Sequence, residues 1–326
     1  MKAVIYEKYG SPDRLHLAEV ARPIPTDDQV LIKIHAVSIN GSDREGLIGR
    51  PLYARFNGLL RPGNKVLGSD IAGRVELAGK NITGFRAGDE VFGELLGYHG
   101  GFAEYVCTSG STLALKPNSL TFEQAAAIPQ AGVIALQGIR EQGRVQAGQS
   151  VLINGAGGSG GSFAIQLARL FGAEVTGVDH GSKLDFMRSL GADHVVDYTK
   201  EDFTRSGRTY DLILDLIAYR SVFASQRALR PQGTCFVVGG ATGVLLQVLL
   251  FGPLIRRRTM KNMRILMVTQ NRKDLLAVTE LCETGAIAPS IDRIYPLEEV
   301  PAAMRYMLAE GARGKVVIRV SKDTGT

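Results

Sequence analysis

The feature that most constrains the fold is a run of glycines at residues 155–161, set between a strand pattern and a helix pattern. Residues 151–153 form the short apolar, β-branched burst that is typical of a buried parallel strand. After the glycines, apolar residues recur at helical spacing over residues 163–170, and a second strand pattern covers 174–178. This order predicts a βαβ unit built around a tight glycine turn.

Asp179 closes the second strand, roughly twenty positions after the glycines, as in a dinucleotide-binding fold. A pyrophosphate must lie against bare backbone N–H groups at a helix N-terminus, where a Cβ atom would hold it off. The flanking elements and Asp179 favour this interpretation over a flexible surface turn. The spacing alone fits two registers, namely Ala156, Gly158 and Gly161, or Gly155, Gly157 and Gly160.

The composition is that of an ordinary globular protein that is long enough for two domains. The chain has 326 residues, of which 45% are hydrophobic and 21% charged. Its net charge is +6, but Lys and Arg are scattered apart from the run at 256–258, and there is no Trp. This pattern suits anionic ligands and argues against a nucleic-acid partner, because basic and aromatic residues do not alternate.

Cysteine usage and the chain start favour a soluble cytoplasmic protein. Cys107, Cys235 and Cys282 are far apart and show no CxxC spacing, which argues against a disulfide framework and fits a reducing compartment. The chain opens directly in a strand pattern without an apolar signal region. The most apolar stretch, 244–255, is too short to span a bilayer. Residues 322–326 are expected to be a frayed tail.

The first 120 residues predict a β domain, because short alternating strand patterns are divided by Gly and Pro. At Thr121, whose hydroxyl is placed to cap a helix with Gln124, the period changes to a helical one. We therefore place the first domain at 1–122. The strand patterns lie at 30–37, 68–77, 88–92 and 100–106.

The second domain, at 123–270, is predicted to be a doubly wound parallel sheet, since six strand patterns alternate with helical stretches. Helical patterns at 274–283 and 297–309 then lead to a strand at 314–320. Residues 271–326 are accordingly expected to return to the β domain. The six strand patterns are centred near Val151, Val175, Val195, Leu212, Cys235 and Ile265.

Several stretches together resemble the zinc-independent quinone-oxidoreductase branch of the medium-chain dehydrogenase/reductase superfamily. The resemblance runs nearly end to end and implies a GroES-like β-barrel domain, a Rossmann domain, an active-site cleft between them, and a homodimer or homotetramer. In the family's register the phosphate-binding positions are Ala156, Gly158 and Gly161. The stretches are VLINGAGGSGGSFAIQLARLFGA, LGADHVVDYTKEDF, LGSDIAGRV, GFRAGDEVFG, GGFAEYV and ARGKVVI.

The residues argue against a metal site. Zinc needs clustered Cys, His and carboxylate ligands. Alcohol dehydrogenases of the superfamily place a Cys and a His-Glu pair in the first domain. By the same resemblance, Asn40 and Ser69-Asp70 occupy the matching positions in this chain. The four-cysteine structural zinc lobe is also missing, since only Cys107 lies in that region. The sequence therefore predicts no metal.

Without a Lewis acid, conjugated acceptors are easier hydride acceptors than isolated ketones. Hydride from a nicotinamide C4 to a quinone or an enone leaves a delocalised phenolate or enolate, which hydrogen-bond donors stabilise before water supplies the proton. Asn40 is the candidate for ordering the nicotinamide ribose and the acceptor oxygen; as a plain turn residue it would instead bond its own backbone. Tyr53 is a further candidate donor, together with Tyr98 and His99.

Cofactor choice is open between NADH and NADPH. Asp179 should accept a hydrogen bond from the ribose 2′-OH and repel a 2′-phosphate, which favours NADH. The resemblance places Ser182, Lys183 and Tyr198 where relatives hold the phosphate of NADPH. Gly239 and Gly240 resemble the loop that passes near the nicotinamide. The candidate cofactor-binding residues are Ala156, Gly157, Gly158, Ser159, Gly160, Gly161, Asp179, Ser182, Lys183, Tyr198, Gly239 and Gly240.

Residues 244–258 are apolar and then basic, and two interpretations are open. The segment packs into the core or a subunit interface, or it forms a wall or lid of a lipophilic pocket that rests on a membrane surface.

We predict an NAD(P)H-dependent, zinc-independent reductase of a small lipophilic quinone or α,β-unsaturated carbonyl. The alternatives are a zinc-free alcohol dehydrogenase, an enoyl-thioester reductase, or a nucleotide-binding protein that senses or binds RNA without turnover. The last alternative is favoured by the basic run at 256–258 and by Ile134, where relatives carry a Thr that orients the carboxamide.

Overall fold

In a computed structural model, the chain is described at residues 1–56, 58–97, 99–309 and 311–321. Two units form by their internal contacts. Unit 1 comprises Met1–Gln130, Gln270–Gly285 and Pro289–Thr326, and unit 2 comprises Ala131–Thr269 and Ala286–Ala288. Tyr98 and the tail at 322–326 lie outside the described residues.

The first part of unit 1 is built mainly from short strands, because β-branched and apolar residues alternate with turns rich in Gly and Pro. The longest of these strands, β3, is buried at eight of its nine positions. The elements are β1 (Lys2–Ile5), β2 (His16–Glu19), β3 (Val30–Ser38), α1 (Gly41–Ile48), β4 (Asp70–Ala78), β5 (Glu90–Glu94), β6 (Tyr105–Thr108), β7 (Leu113–Leu115) and α2 (Phe122–Ala126).

Unit 2 is a six-stranded sheet in which every pairing is parallel, with strand order β10-β9-β8-β11-β12-β13. The six predicted strands and their doubly wound arrangement are confirmed. The elements are α3 (Pro129–Leu136), β8 (Ser150–Asn154), α4 (Ser159–Leu170), β9 (Glu174–Asp179), α5 (Leu184–Ser189), β10 (His194–Asp197), β11 (Tyr210–Asp215), α6 (Val222–Arg227), β12 (Leu229–Val237), α7 (Thr242–Thr259) and β13 (Asn262–Ile265).

The last part of the chain completes the β domain. A seven-stranded sheet has the order β14-β15-β3-β4-β5-β7, with β6 also paired to β3. β15 runs antiparallel to β3, with Val317 opposite Ser38, so the C-terminal strand belongs to the same sheet as β3. The elements are α8 (Arg272–Glu283), β14 (Ile291–Pro296), α9 (Val300–Leu308) and β15 (Lys315–Arg319).

The break between the units falls at 130/131, eight residues after the change in sequence period at 122/123. Thr121 caps α2 as its spacing predicts, accepting from the Gln124 N–H at 3.2 Å. The helix nevertheless belongs to unit 1, because its apolar side packs against β3, β4 and β5. Residues 286–288 belong to unit 2, where the Ala288 N–H donates to Gln166 Oε1 at 2.9 Å.

The described part of the chain contains no helix that combines the length and hydropathy of a membrane-spanning segment.

Candidate active-site residues

The glycine turn of unit 2 is closely packed at one position and has room for a methyl group at two others. Gly155 has φ of +83°, a conformation that favours glycine. A Cβ atom on Gly161 would lie 2.2 Å from the Gly155 carbonyl oxygen and 2.5 Å from Ala156 Cα, so only glycine lets α4 approach the turn. On Gly158 and Gly160 a Cβ atom would meet nothing closer than 3.4 and 3.5 Å.

The N-terminus of α4 is suited to bind a pyrophosphate. The first-turn N–H groups of a helix have no partner within the helix, and the helix dipole adds positive potential there. The turn lies at the carboxyl end of β8, and the strand order reverses between β8 and β11. Dinucleotides bind at this switch point in open parallel sheets.

We expect Gly161→Ala to lower the free energy of unfolding by about 1–3 kcal/mol, because the added methyl group overpacks backbone atoms. Gly160→Ala is the matched control: it should keep wild-type stability but weaken dinucleotide binding, since its methyl group covers the face on which the phosphates would lie. Thermal unfolding and titration with NADH or NADPH measure the two effects separately. Equal stability of the two variants would contradict the packing role of Gly161.

Asp179 ends β9 and also stabilises the glycine turn through hydrogen bonds. One carboxylate oxygen accepts from the Gly157 N–H at 2.9 Å and the other from the His180 N–H at 2.8 Å. The Lys183 Nζ lies 3.3 Å from Asp179 Oδ1, and both side chains are buried. A Cβ atom on Gly157 would lie 2.7 Å from Lys183 Cδ, so a bare Gly157 makes room for the lysine stem.

The other two candidates for the adenosine side lie next to this ion pair. The Ser182 hydroxyl is exposed and lies 3.0 Å from His180 Nδ1. Tyr198 packs its ring edge to face with His180 at a centroid distance of 6.1 Å and donates its N–H to the Asp179 carbonyl oxygen at 3.2 Å. The structure therefore brings Asp179, Ser182, Lys183 and Tyr198 together at the carboxyl ends of β9 and β10.

The loops after β11 and β12 approach each other closely. A Cβ atom on Gly240 (φ +91°) would lie 2.2 Å from Ala218 Cβ, and Gly239 also has positive φ, at +59°. Asp215 holds the first loop, since its Oδ1 accepts from the Ala218 N–H at 2.9 Å and from Asn154 Nδ2 at 2.7 Å. Sequence reasoning missed this pair; its signal is a polar residue at the end of each of two apolar strands.

In unit 1, Asn40 is the centre of a buried polar cluster. It is 2% exposed and directly precedes α1. Its Nδ2 donates to Ser69 Oγ at 3.0 Å, and its Oδ1 accepts from Lys315 Nζ at 2.7 Å. Its backbone N–H donates to Asp43 Oδ2 at 2.8 Å. The Asn40 side chain thus joins segments distant in sequence, and with Asp43 it also forms a capping box at the start of α1.

Lys315 is a fully buried lysine that sequence reasoning missed. Its Nζ lies 3.3 Å from Asp70 Oδ2, and both side chains have zero exposure. The same Asp70 oxygen accepts from the Gln130 N–H at 3.1 Å, whereas Asp70 Oδ1 is buried without a hydrogen-bond partner among the described residues. Glu94 extends the cluster, accepting from Gln130 Nε2 at 2.6 Å. No local sequence signal marks it, because a lysine at the start of a strand is ordinarily a surface residue.

Burial dominates the ionisation of this cluster. It raises the pKa of Glu94 to about 8, with the Asp70 charge adding to the effect, and it raises the pKa of Asp43 to about 7. Burial also raises the pKa of Asp70 and lowers that of Lys315, while the attraction between the two groups opposes both shifts. The cluster therefore keeps the Glu94 carboxyl largely protonated at neutral pH.

Stability should fall as pH rises because of Glu94. Its folded-state pKa of about 8 lies above the ordinary value of 4.5, so the folded chain binds more protons between these values. The stabilisation by the protonated Glu94 carboxyl is fully present below the pKa of the unfolded chain. It is lost as pH rises through the pKa of the folded chain. We expect a loss of about 3 kcal/mol between about pH 5 and about pH 8. Glu94→Gln should remove this part of the slope in urea unfolding; an unchanged slope would contradict the assignment.

The remaining donor candidates lie elsewhere in unit 1. Tyr53, in the 3₁₀ turn Leu52–Arg55, donates to the Glu45 carboxylate on α1 at 3.1 Å. Burial raises the pKa of the Tyr53 phenol, which therefore stays protonated at neutral pH. Burial lowers the pKa of His99, which is half-buried. Tyr98 falls outside the described residues.

The donor set of the cluster does not fit zinc. Among residues 1–56, 58–97, 99–309 and 311–321, no three His, Cys, Asp or Glu side chains converge as metal ligands. Asn40 and Asp70 both contact the Lys315 ammonium. By the resemblance, both residues occupy positions at which zinc-dependent relatives carry zinc ligands. An ammonium there would repel a divalent cation.

A doubly wound sheet with a glycine turn at its switch point, in one chain with a β domain, is typical of nicotinamide-dependent oxidoreductases. Family models agree: one described as "Alcohol dehydrogenase GroES-like domain" matches residues 26–118, and one described as "Zinc-binding dehydrogenase" matches residues 190–318. The chain belongs to the zinc-independent quinone-oxidoreductase-like branch of the medium-chain dehydrogenase/reductase superfamily.

Individual relatives align over nearly the whole chain. The chain is 35% identical to the 2-methylene-furan-3-one reductase of Solanum lycopersicum, covering 98% of this chain and 79% of the relative. It is 32% identical, with the same coverage of 98% and 79%, to the chloroplastic NADPH-dependent alkenal/one oxidoreductase of Arabidopsis thaliana. The solved structure of the quinone oxidoreductase from Coxiella burnetii matches with a TM-score of 0.86 at 29% identity, covering 98% of this chain and 99% of that one.

Proposed function

We propose that this protein catalyses the NAD(P)H-dependent reduction of a small lipophilic quinone or α,β-unsaturated carbonyl without a metal ion. The observation that carries the proposal is the glycine turn, which joins β8 to α4 at the switch point of the parallel sheet. The names of the relatives, which include enone and quinone reductases, support the substrate class.

The residues of unit 2 fit a dinucleotide. Residues 156–161 would hold the pyrophosphate at the N-terminus of α4, where Gly158 and Gly160 present backbone without a side chain. The loops at Ala218 and at Gly239-Gly240 would line the nicotinamide end. When bound, the reduced nicotinamide supplies a hydride.

For the adenosine end we propose that NADH is preferred and that NADPH is also used. The Asp179 carboxylate opposes a 2′-phosphate, but its own contact with Lys183 at 3.3 Å offsets part of its charge. Lys183, Ser182 and Tyr198 together provide the donors that a phosphate would need.

Metal independence is supported by the cluster around Lys315. Conjugated acceptors spread the negative charge that hydride addition creates, so hydrogen-bond donors suffice to stabilise it. Tyr53 stays protonated and is the proposed donor to the acceptor oxygen, to which its hydroxyl would turn from the Glu45 carboxylate when substrate binds. We propose that Asn40 acts as a positioning residue, since its amide is 2% exposed and already bonds Ser69 and Lys315.

The proposed compartment is the cytoplasm, because Cys107, Cys235 and Cys282 are free thiols, as a reducing environment requires. A homodimer or homotetramer remains the expected assembly.

The test is oxidation of NADH and of NADPH by purified protein against a quinone, an enal, an enoyl thioester and a simple ketone. We expect turnover with the quinone or the enal, little with the ketone, and no loss after treatment with a chelator. Reduction of the thioester alone would favour an enoyl-thioester reductase. No turnover with any acceptor, despite measurable nucleotide binding, would favour the non-catalytic alternative. Stoichiometric zinc in an elemental analysis would contradict metal independence.

A further inference from the structure

Helix α7 is apolar on two opposite faces. The inner face, formed by Val244, Val248, Gly252 and Ile255, is buried in unit 2. It packs closely on β13, because a Cβ atom on Gly252 would lie 2.9 Å from the Met263 carbonyl oxygen. A helix that is apolar all round is normally covered on every side.

The outer face of α7 is nevertheless exposed to solvent within unit 2. Its leucines recur at spacings of three and four residues, so they form one stripe along the helix. We call this stripe the leucine stripe; its members and their exposed fractions are Leu246 at 51%, Leu249 at 63%, Leu250 at 69% and Leu254 at 43%.

Positive charge concentrates in the stretch of sequence that contains the leucine stripe. Residues 216–269 contain eight of the 38 Lys and Arg residues and no Asp or Glu. The rest of the chain has 30 basic and 32 acidic residues, so this stretch accounts for the net charge of +6. Arg257 continues the stripe three residues beyond Leu254, between Arg256 and Arg258.

Several of these cations have no internal counter-charge. Arg220 and Arg230 pair with Asp202 and Asp211. The other five arginines of the stretch are exposed, and none forms an ion pair with a described residue. These five are Arg227, Arg256, Arg257, Arg258 and Arg264.

We propose that the leucine stripe and the arginines beside it form a docking surface for an anionic lipid bilayer. The helix would lie in the plane of the interface, with the leucines in the acyl boundary and the arginines at the headgroups, as in other interfacial amphipathic helices. The proposed reduction of a lipophilic acceptor does not depend on this surface, and the surface does not depend on that reaction.

The charge of the stretch favours a bilayer over the other occupants. In a symmetric contact between two copies, each surface would meet its own image, and no acidic residue between 216 and 269 could pair with the partner's arginines. A nucleic acid would satisfy the arginines but would leave the leucines in water, whereas an anionic bilayer satisfies both.

The experiment is flotation of the full chain with vesicles of phosphatidylcholine alone and with vesicles of equal parts phosphatidylcholine and phosphatidylglycerol. We expect binding to the mixed vesicles and little to the neutral ones, with binding weakened by salt. Absence of binding to the mixed vesicles would overturn the proposal.

Two sets of variants separate the contributions of apolar contact and charge. Leu249→Gln with Leu250→Gln should weaken binding to the mixed vesicles by at least about tenfold, because two exposed apolar side chains no longer enter the bilayer. Replacing residues 256–258 by Gln should weaken it by about 100-fold. The matched control for the leucines is Leu276→Gln, which changes a similarly exposed leucine on α8 and should leave binding unchanged.

The controls test for misfolding and for the other occupants. Far-ultraviolet circular dichroism and turnover of a water-soluble quinone should be the same for every variant. Equal vesicle binding by wild type and both sets of variants would overturn the proposal. The proposal would also be overturned if the wild type does not bind vesicles and forms an oligomer that the leucine variants dissociate. Arginine-dependent binding to single-stranded RNA, without binding to vesicles, would overturn it as well.

Discussion

Replacing Lys315 by methionine is expected to lower the free energy of unfolding of unit 1 by about 3–5 kcal/mol. The variant removes the only ion pair that the buried Asp70 carboxylate forms with a described residue, and Asp70 already has one oxygen without a hydrogen-bond partner among them. It also leaves the Asn40 side-chain oxygen without the Lys315 donor at 2.7 Å. An uncompensated buried charge costs more than the ion pair contributed.

The double variant Lys315→Met with Asp70→Asn is the informative comparison. Because it removes both charges, it should recover more than half of the stability lost in the single variant. Urea unfolding followed by far-ultraviolet circular dichroism is the suitable measurement, since the chain contains no Trp. A loss below about 1 kcal/mol for the single variant, or no recovery in the double one, would show that burial of this pair is not what makes Lys315 important.

The sequence predicted the sheet of unit 2 well because the information is local. Each buried parallel strand is a short apolar burst, and each crossover helix has its own period, so six strands can be read without knowing what they contact. The cap at Thr121 was also readable, since it depends on residues within a few positions of each other.

The cluster around Lys315 could not be predicted in the same way. Asn40, Asp70 and Lys315 are separated by up to 275 positions, and they meet only because β15 returns to pair with β3. Nothing local distinguishes Lys315 from a surface lysine at the end of a strand. The position of α2 depends on such contacts too: it has a helical period, but it packs against the strands of unit 1.

The cofactor-binding candidates occupy a middle position. The acidic end of β9 and the glycines were readable from spacing, but the direct bond from the Gly157 N–H to Asp179 was not. The contact between Asp179 and Lys183 was not readable from spacing either. Asp179 favours NADH and Lys183 favours NADPH. The sequence treats the two residues as separate signals, whereas in the structure each offsets part of the charge of the other.

The Asp179→Asn variant is expected to shift the ratio of kcat/KM for NADPH over NADH by about 100-fold to 1000-fold toward NADPH. The substitution removes a negative charge that opposes the 2′-phosphate, and it frees the Lys183 ammonium, now 3.3 Å from the carboxylate, to bind that phosphate. The amide oxygen can still accept one of the two backbone N–H groups that Asp179 binds, so the glycine turn is partly retained.

Two further variants test whether the shift comes from this ion pair. Asp193→Asn is the matched control, because Asp193 also accepts a backbone N–H and pairs with Arg169, but at the amino end of β9. It should leave the NADPH/NADH ratio unchanged. Lys183→Met should reduce kcat/KM for NADPH more than for NADH, since only the phosphate needs the ammonium. Steady-state kinetics with a saturating quinone measure all three variants. If Asp179→Asn leaves the ratio within about threefold of wild type, the carboxylate does not set cofactor preference.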